Sequence, residues 1–396
     1  MNLQREREFI QACLAHLVHP DQPLPEPPNG QNWPQVLCLL DEHKLAGIFF
    51  QLGQQRADLW SQAVQKRLRR DYAAVRLWGD LCLPEVQSVL AALKKAGVRC
   101  LVLKGWALIP TVYGGDHGRR VCGDLDVLVH PQDTACADQI LLGQGYASGP
   151  EPWPGFQRRY RYARLYTRPR RPWPFAQAFS IAVHWGLLDT PFYLDKIAAP
   201  GLFQRSQALL LGAVEGLALG IEDSLVYACG HLALHHDYDD ALYRYYEMAW
   251  LIVHAGAALD WQALAARADE WRLVLPVQRV VGRLQTLWPG VVPEGAAGQI
   301  AALRATRSER WIHRCVVGGR QNYAVRAFLA WLTMPGSVRR WRYLCEVAFP
   351  GPDYLRQHYG AAPWGLWPVH YLRRFWLAVR YAAAAAGRGR VTPPSG

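Results

Sequence analysis

Residues 123–129 read Gly-Asp-Leu-Asp-Val-Leu-Val, an apolar run that two carboxylates interrupt. Successive side chains of a β-strand point to opposite faces, so Asp124 and Asp126 are expected to project together while Leu125 and Val127 enter the core. Two carboxylates this close repel each other, and a cation between them removes the repulsion. Mg²⁺, with Mn²⁺ as an alternative, suits the pair because it takes one or two carboxylates and completes its shell with phosphate oxygens and water. The alternative interpretation is that Asp124 caps a turn and Asp126 is an exposed edge residue.

The segment just before this run has the features of a phosphate-binding loop. Val98–Leu103 is mostly apolar or β-branched and predicts a strand; Lys104 and Gly105 follow it, and a helical pattern begins at Trp106. Backbone N–H groups at such a strand–glycine–helix junction can receive a phosphate, and the lysine adds a positive charge. Arg120, shortly before the acidic pair, is a further candidate phosphate contact. The lysine, the glycine and the arginine are therefore predicted to bind phosphate next to a metal held by the two aspartates.

The same stretch resembles a known family. It contains Lys-Gly-x-Ala-Leu at 104–108, Tyr113, Arg120 four residues before the first aspartate, and then Asp-Leu-Asp-Val-Leu-Val. In this order the motifs resemble the uncharacterised nucleotidyltransferases of bacteria, which belong to the polymerase-β-like superfamily. Similar pieces follow along most of the chain, namely His184-Trp185, the histidines at 231, 235 and 236, Phe349-Pro350 and Tyr354-Leu355-Arg356. The resemblance implies transfer of an NMP from an NTP to an acceptor, with Mg²⁺ on Asp124 and Asp126. The superfamily's usual Gly-Ser is Gly105-Trp106 here, so the hydroxyl contact to phosphate is missing.

One active-site residue of that family has no counterpart in this chain. Phe175–Trp185 predicts a strand, and the resemblance aligns its Ala182 with the acid that is expected to be the third active-site carboxylate. That acid helps to hold the metal and can accept the proton of the acceptor. His184 lies on the same strand face and is the nearest substitute for a base, with a purely structural histidine as the alternative. Glu247, where the family often carries an acid, is the second candidate for a compensating carboxylate.

The composition favours a soluble protein with anionic partners. The chain has 396 residues, a formal net charge of +12 and a pI near 9.4, which suits NTP, RNA or an anionic membrane surface. Nine cysteines are scattered without a Cys-x-x-Cys pair, so no disulfide framework is expected and a reducing cytoplasm fits best. The first residues lack the apolar segment of a signal peptide, and no apolar run reaches the roughly 18 residues of a membrane span. We therefore expect a cytoplasmic location.

The periodicity of the apolar residues predicts an α+β fold in four parts. Residues 1–92 read as helices, 93–195 as the nucleotidyltransferase core with a small mixed sheet, and 196–350 as a C-terminal helical domain. Residues 351–396 read as a basic aromatic helix with a flexible tail. Helices are expected throughout 196–300, so the sheet should lie between two large helical regions.

Three further patterns have more than one interpretation. Phe156–Arg168 alternates arginines with tyrosines and, as a strand, would bind nucleic acid or form an arginine-protected edge of the sheet. His231 and His235 share a helix face, but zinc binding would need an acid and a third ligand that are not evident, so packing or hydrogen bonding is favoured. Trp367–Ala386 predicts a basic amphipathic helix that would lie on an anionic membrane or pack on the domain.

Three functions therefore stay open at this point. The first is a Mg²⁺-dependent nucleotidyltransferase whose acceptor is RNA, a protein or a small molecule. The second is a catalytically degenerate NTP- or RNA-binding protein, which Ala182 motivates. The third is a basic scaffold at a membrane surface. Binding of NTP without release of pyrophosphate separates the first two, and flotation with vesicles tests the third.

Overall fold

The fold is α+β, as the periodicity predicts, with helices around a mixed seven-stranded sheet. The computed structural model describes residues 4–27, 32–56, 58–168, 179–317, 323–359, 369–372 and 376. The strands are β1 (Cys100–Leu103), β2 (Asp124–Val129), β3 (Ala147–Ser148), β4 (Ala163–Arg168), β5 (Phe179–His184), β6 (Gln207–Leu211) and β7 (Val214–Ala218).

The strand order places β2 in the middle of the sheet. The strands follow one another as β3-β4-β5-β2-β1-β7-β6. β2 runs antiparallel to β1 and parallel to β5, and β1 runs parallel to β7. The outer pairs β3/β4, β4/β5 and β6/β7 are antiparallel. The two aspartates of β2 are therefore flanked by β1 on one side and β5 on the other.

Helices precede, interrupt and follow the strands. Those before the sheet are α1 (Gln4–Val18), α2 (Trp33–Glu42), α3 (Ala46–Gln55) and α4 (Gln62–Lys95), the last continuous through Pro84. Those between strands are α5 (Lys104–Val112), α6 (Thr134–Gly143), α7 (Phe156–Tyr160), α8 (Pro191–Leu194) and α9 (Ala199–Gln204). Those after β7 are α10 (Ile221–His236), α11 (Leu242–Ala255), α12 (Trp261–Glu270), α13 (Val274–Leu287), α14 (Glu294–Ala302), α15 (Arg307–Val316), α16 (Tyr323–Thr333), α17 (Ser337–Ala348) and α18 (Pro352–Tyr359).

The alternation of β2 divides its side chains between two apolar layers. Leu125, Val127 and Val129 pack in a cluster with residues of α4 and α6. Leu128 belongs to the larger cluster on the opposite face, which contains residues of α1, α2, α3, α10 and α11. Asp124 and Asp126 alternate with the first set and so share the face of Leu128. This face carries the candidate site.

Two secondary-structure predictions are wrong. β6 and β7 form a hairpin within residues expected to be helical, and β7 extends the sheet beside β1. Periodicity does not distinguish a strand from a helix in short apolar runs, and Gly212, at φ +60°, makes the tight turn of this hairpin. Phe156–Tyr160 is a helix, so the arginine–tyrosine segment is a strand only within β4.

Candidate functional site

Asp124 and Asp126 stand at the start of β2 with different exposure. Asp124 is exposed, whereas Asp126 is only 3% exposed. Desolvation of its carboxyl group by neighbouring protein atoms and the negative charge of Asp126 raise the pKa of Asp124 above its ordinary value. The two carboxylates therefore repel each other, and a cation bound between them would relieve the repulsion.

Two side chains hold the buried carboxylate of Asp126. Its Oδ1 accepts a hydrogen bond from Nζ of Lys104 at 2.7 Å and another from Nε2 of His184 at 2.7 Å. Burial by itself would raise the pKa of Asp126, but the bonds and charges of His184 and Lys104 lower it to about 2. Nδ1 of His184 is buried and has no hydrogen-bond partner in the described part of the chain. The imidazole thus holds the aspartate with one nitrogen, and its other nitrogen is buried without a partner among the described residues.

Lys104 and Gly105 form the junction between β1 and α5. Lys104 adopts φ +54°, a left-handed conformation that is uncommon for a residue other than glycine. A Cβ atom at Gly105 would lie 2.4 Å from Sγ of Cys122, so only glycine allows the segment before β2 to approach this closely. The junction is therefore strained at the lysine and tightly packed at the glycine.

Arg120 is tied to Glu247 of α11. Nε of Arg120 donates to Oε1 of Glu247, and the same oxygen accepts a hydrogen bond from the hydroxyl of Tyr113 at 2.9 Å. The guanidinium of Arg120 also lies 4.4 Å from the ring centroid of Tyr243. The carboxylate of Glu247, only 7% exposed, is thus engaged with an arginine and a tyrosine.

Ala182 lies directly beside Asp126. The two residues are register partners on the parallel strands β5 and β2, and Leu128 and His184 are paired in the same register. Side chains of register partners on adjacent strands share a face, so a carboxylate at position 182 would join the other two. The methyl group of Ala182 stands there instead.

Sequence reasoning missed two cations of this site, Lys44 and Arg244. Lys44 follows α2 and Arg244 belongs to α11; both lie near the ring of Tyr243, at 5.6 and 4.7 Å from its centroid. Arg244 also lines a cavity of about 120 Å³, together with Lys104, Arg120 and apolar residues of α5, α10 and α11. No motif in the sequence marks either residue, since each reaches the site through helix packing.

The histidines of α10 lie close together, and two of them are stacked. The rings of His231 and His235 stack at 4.6 Å, and Nδ1 of His236 lies 3.2 Å from a guanidinium nitrogen of Arg244. Burial lowers the pKa of His231 well below its ordinary value, and burial and Arg244 lower that of His236 to about 4. Among the described residues, no group of three or more His, Cys, Asp or Glu side chains is arranged to hold a metal ion. A role of these histidines in packing or hydrogen bonding stays a prediction.

The arginine–tyrosine segment is engaged within the protein itself. Among the described residues, β4 pairs with β5 along its whole length but with β3 only at Tyr166 and Thr167, so the first half of β4 still forms an edge of the sheet. Its arginines, and those just before it, are paired with acids: Arg159 with Glu346, Arg161 with Asp189, Arg164 with Asp138 and Arg168 with Glu85. These pairs leave fewer cations for nucleic acid than the sequence suggests.

Two findings concern the membrane. Over the residues that the structure describes, no helix has the length and apolar character needed to cross a bilayer. The predicted helix Trp367–Ala386 falls mostly outside those residues, so its contact with a membrane surface stays a prediction.

Comparison with known proteins supplies the family. A search of curated proteins found no match to this chain. A family model described as uncharacterised nucleotidyltransferase matches residues 29–289, about two thirds of the chain, and this span includes the junction after β1, the aspartates of β2, β5 and the arginine and glutamate of α11. The chain therefore belongs to the uncharacterised nucleotidyltransferase family.

Proposed function

We propose that this protein transfers an NMP from an NTP to an acceptor and releases pyrophosphate. Family membership supports nucleotidyl transfer as the general activity. The single observation that carries the finer proposal is the approach of Lys104 to Asp126, which joins the phosphate-type junction after β1 to the acidic pair of β2. In the reaction, an oxygen or nitrogen of the acceptor attacks the α-phosphorus, the bond to the bridging oxygen breaks, and pyrophosphate leaves with the electron pair.

The residues fit Mg²⁺ bound together with phosphate. Asp124 and Asp126 supply two carboxylates on one face, and a small hard cation of this kind takes one or two carboxylates plus phosphate oxygens and water. The charges nearby balance as four cations and four carboxylates, namely Lys44, Lys104, Arg120 and Arg244 against Asp124, Asp126, Asp239 and Glu247. A divalent cation adds the positive charge that a polyphosphate requires. When bound, it neutralises charge on the phosphates and polarises the α-phosphoryl group.

The phosphates are assigned to Lys104, Gly105 and Arg120. Lys104 and Arg120 contribute positive charges, and the backbone N–H groups at the start of α5 contribute the positive end of a helix dipole. Glu247 is assigned a positioning role, since its carboxylate engages Arg120 and Tyr113. The helix α11 would thus set the direction of the Arg120 guanidinium.

His184 is assigned as the acceptor of the proton. Its Nε2–H bonded to Asp126 fixes the tautomer in which Nδ1 carries a lone pair, and that atom has no partner among the described residues. A carboxylate that orients an imidazole in this way is a recurring arrangement for general bases. In this proposal His184 takes over the proton-accepting role of the third carboxylate, which is absent because residue 182 is an alanine.

The test is an assay of pyrophosphate release from labelled NTPs. Total RNA, protein extract and a mixture of small metabolites serve as three separate acceptor pools, with Mg²⁺ or Mn²⁺ present. The combined Asp124→Asn and Asp126→Asn variant should lose Mg²⁺-dependent NTP binding and release. Asp58→Asn with Asp353→Asn makes the same charge change at exposed positions away from β2 and should behave as wild type. Unchanged Mg²⁺–NTP affinity in the β2 variant would exclude the assigned site.

A second function is favoured by one observation, the presence of Ala182 beside Asp126. A protein without the third carboxylate would bind NTP and transfer nothing. Its signature is Mg²⁺-dependent NTP affinity without pyrophosphate release in any acceptor pool. If wild type releases pyrophosphate, His184→Gln should abolish the release while Mg²⁺–NTP affinity is kept, which tests His184 as the base.

A further inference from the structure

Three cations from different parts of the chain gather around one tyrosine ring. Arg120, Arg244 and Lys44 lie 4.4, 4.7 and 5.6 Å from the ring centroid of Tyr243. Lys44 follows α2, Arg120 precedes β2 and Arg244 belongs to α11. The aromatic face stabilises cations, but it offers far less than an anion would. Three like charges this close repel one another, and an anion bound among them would relieve the repulsion.

The partners of the three cations differ. Arg120 is paired with Glu247, and Nε of Arg244 lies 3.2 Å from Oδ1 of Asp239. Lys44 is exposed and has no ion pair among the residues that the structure describes. Partial burial and the charges of Arg120 and Arg244 lower the pKa of Lys44, which shows that its positive charge is disfavoured in this place. An anion at the ring would remove that penalty.

The backbone at Lys44 points to the same conclusion. Lys44 adopts φ +54° at the end of α2, where its N–H donates to the carbonyl of Asp41 and the next N–H donates to that of Leu40. Glycine is the residue that closes a helix in this conformation without strain. Lys104, the other lysine of the site, has the same φ of +54°. Both lysines therefore occupy positions that glycine would fill with less strain, and a lysine there is compatible with a role for its charge.

The cations near the ring are linked to the acidic pair of the candidate site. Lys104 contacts Asp126, whereas Asp124 is among the charges that act on Lys44. Lys104, Arg120 and Arg244 also line one cavity, so cations near the ring and the lysine of the acidic pair border the same space. We propose that Lys44 and Arg244 bind the outer phosphates of the NTP, and the pyrophosphate that its cleavage releases. This proposal rests on the proposed function, and it gives α2 and α11 a part in binding the polyphosphate.

The experiment measures binding of Mg²⁺–pyrophosphate, Mg²⁺–ATP and AMP by isothermal titration calorimetry. Lys44→Gly removes the charge and relieves the backbone strain, so its Tm should equal or exceed that of wild type. Its affinity for pyrophosphate and ATP should fall roughly tenfold, the lower end for a charged contact because the lysine is exposed. The affinity for AMP should stay unchanged, because AMP has no outer phosphates. Arg244→Gln should show the same pattern.

Arg272→Gly is the matched control. Arg272, just after α12, also adopts a positive φ, +58°, and pairs with Asp269, so the variant removes a cation from a left-handed position of another helix end. It should bind all three ligands as wild type does. If Lys44→Gly and Arg244→Gln keep wild-type affinity for pyrophosphate while the Asp124→Asn/Asp126→Asn variant loses ATP, this proposal is wrong and the proposed function stands. If wild type binds neither pyrophosphate nor ATP, both are wrong.

Discussion

Ala182 on β5 is the register partner of Asp126 on β2, so its methyl group occupies the place where a third carboxylate would join Asp124 and Asp126. The neighbouring His184 on the same strand donates to Asp126 instead. The candidate site thus has two carboxylates and one imidazole on two adjacent parallel strands. Nucleotidyl transfer by these three groups would need the imidazole of His184 as the base. Adding a carboxylate at position 182 measures whether a further base is needed.

Ala182→Asp should lower the Tm of the metal-free protein, because it adds a third negative charge beside two others. Mg²⁺ should reverse the loss, so the rise of Tm on adding Mg²⁺ should exceed that of wild type. If a base limits the rate, pyrophosphate release should rise by up to ~10²–10⁴-fold, and if His184 already serves, it should change little. Ala182→Asn, of equal shape without charge, is the control. An identical Mg²⁺ response in wild type and both variants would show that position 182 does not face the metal.

Asp124→Asn and Asp126→Asn should change stability in opposite directions. Asp124 is repelled by its neighbour, so its neutral replacement should leave the free energy of unfolding equal or higher. Asp126 is held by Lys104 and His184, and its pKa of about 2 in place of 3.8 corresponds to about 2 kcal/mol of stability that the replacement loses. Urea unfolding at pH 7 measures both. Equal losses from the two variants would contradict the asymmetry.

Glu247→Gln should lower stability and raise KM for the NTP more than it lowers kcat. The substitution leaves the largely buried guanidinium of Arg120 without its carboxylate, which costs roughly 1–3 kcal/mol for an unsatisfied group. A displaced Arg120 then binds phosphate less well. Tyr113→Phe removes the other hydrogen bond to Glu247 while keeping the ring, and it should cause a smaller change of the same kind. A loss confined to kcat, with Tm and KM unchanged, would identify Glu247 as the base.

Glu309 should make stability depend on pH near and above its ordinary pKa. The side chain is 1% exposed; burial raises its pKa, although the N–H of Leu275 and the charge of Arg272 act against this and Asp269 adds to it. As pH rises past the unfolded pKa of about 4.5, the unfolded chain loses its proton first, so the free energy of unfolding falls until the folded pKa is passed.

Glu309→Gln keeps the acceptor for Leu275 and removes this titration. Relative to wild type, its Tm should therefore be more favourable at pH 7 than at pH 4, as differential scanning calorimetry can measure. Glu294→Gln, at an exposed residue in the first turn of α14, is the control. A Tm difference that is the same at both pH values would show that the raised pKa does not affect stability.

The sequence by itself determined the local features of the candidate site. The alternation of residues 124–129 predicts β2 and the shared face of its aspartates, because side chains in a strand repeat every two residues. The sequence Lys104-Gly105, between an apolar run and a helical pattern, predicts the junction of β1 and α5. The α+β class follows from the order of strand and helix patterns. Each of these properties depends on residues close together in the chain.

Only the tertiary structure decided which distant residues meet. Only the structure shows that β6 and β7 form a hairpin beside β1. Likewise, only the structure shows which acids neutralise arginines of residues 159–168. Lys44 and Arg244 have no local signal, yet helix packing brings both to the ring of Tyr243. The physical reason is that strand pairing and helix packing are set by burial of apolar faces over the whole domain, whereas periodicity records only which face of one element is apolar.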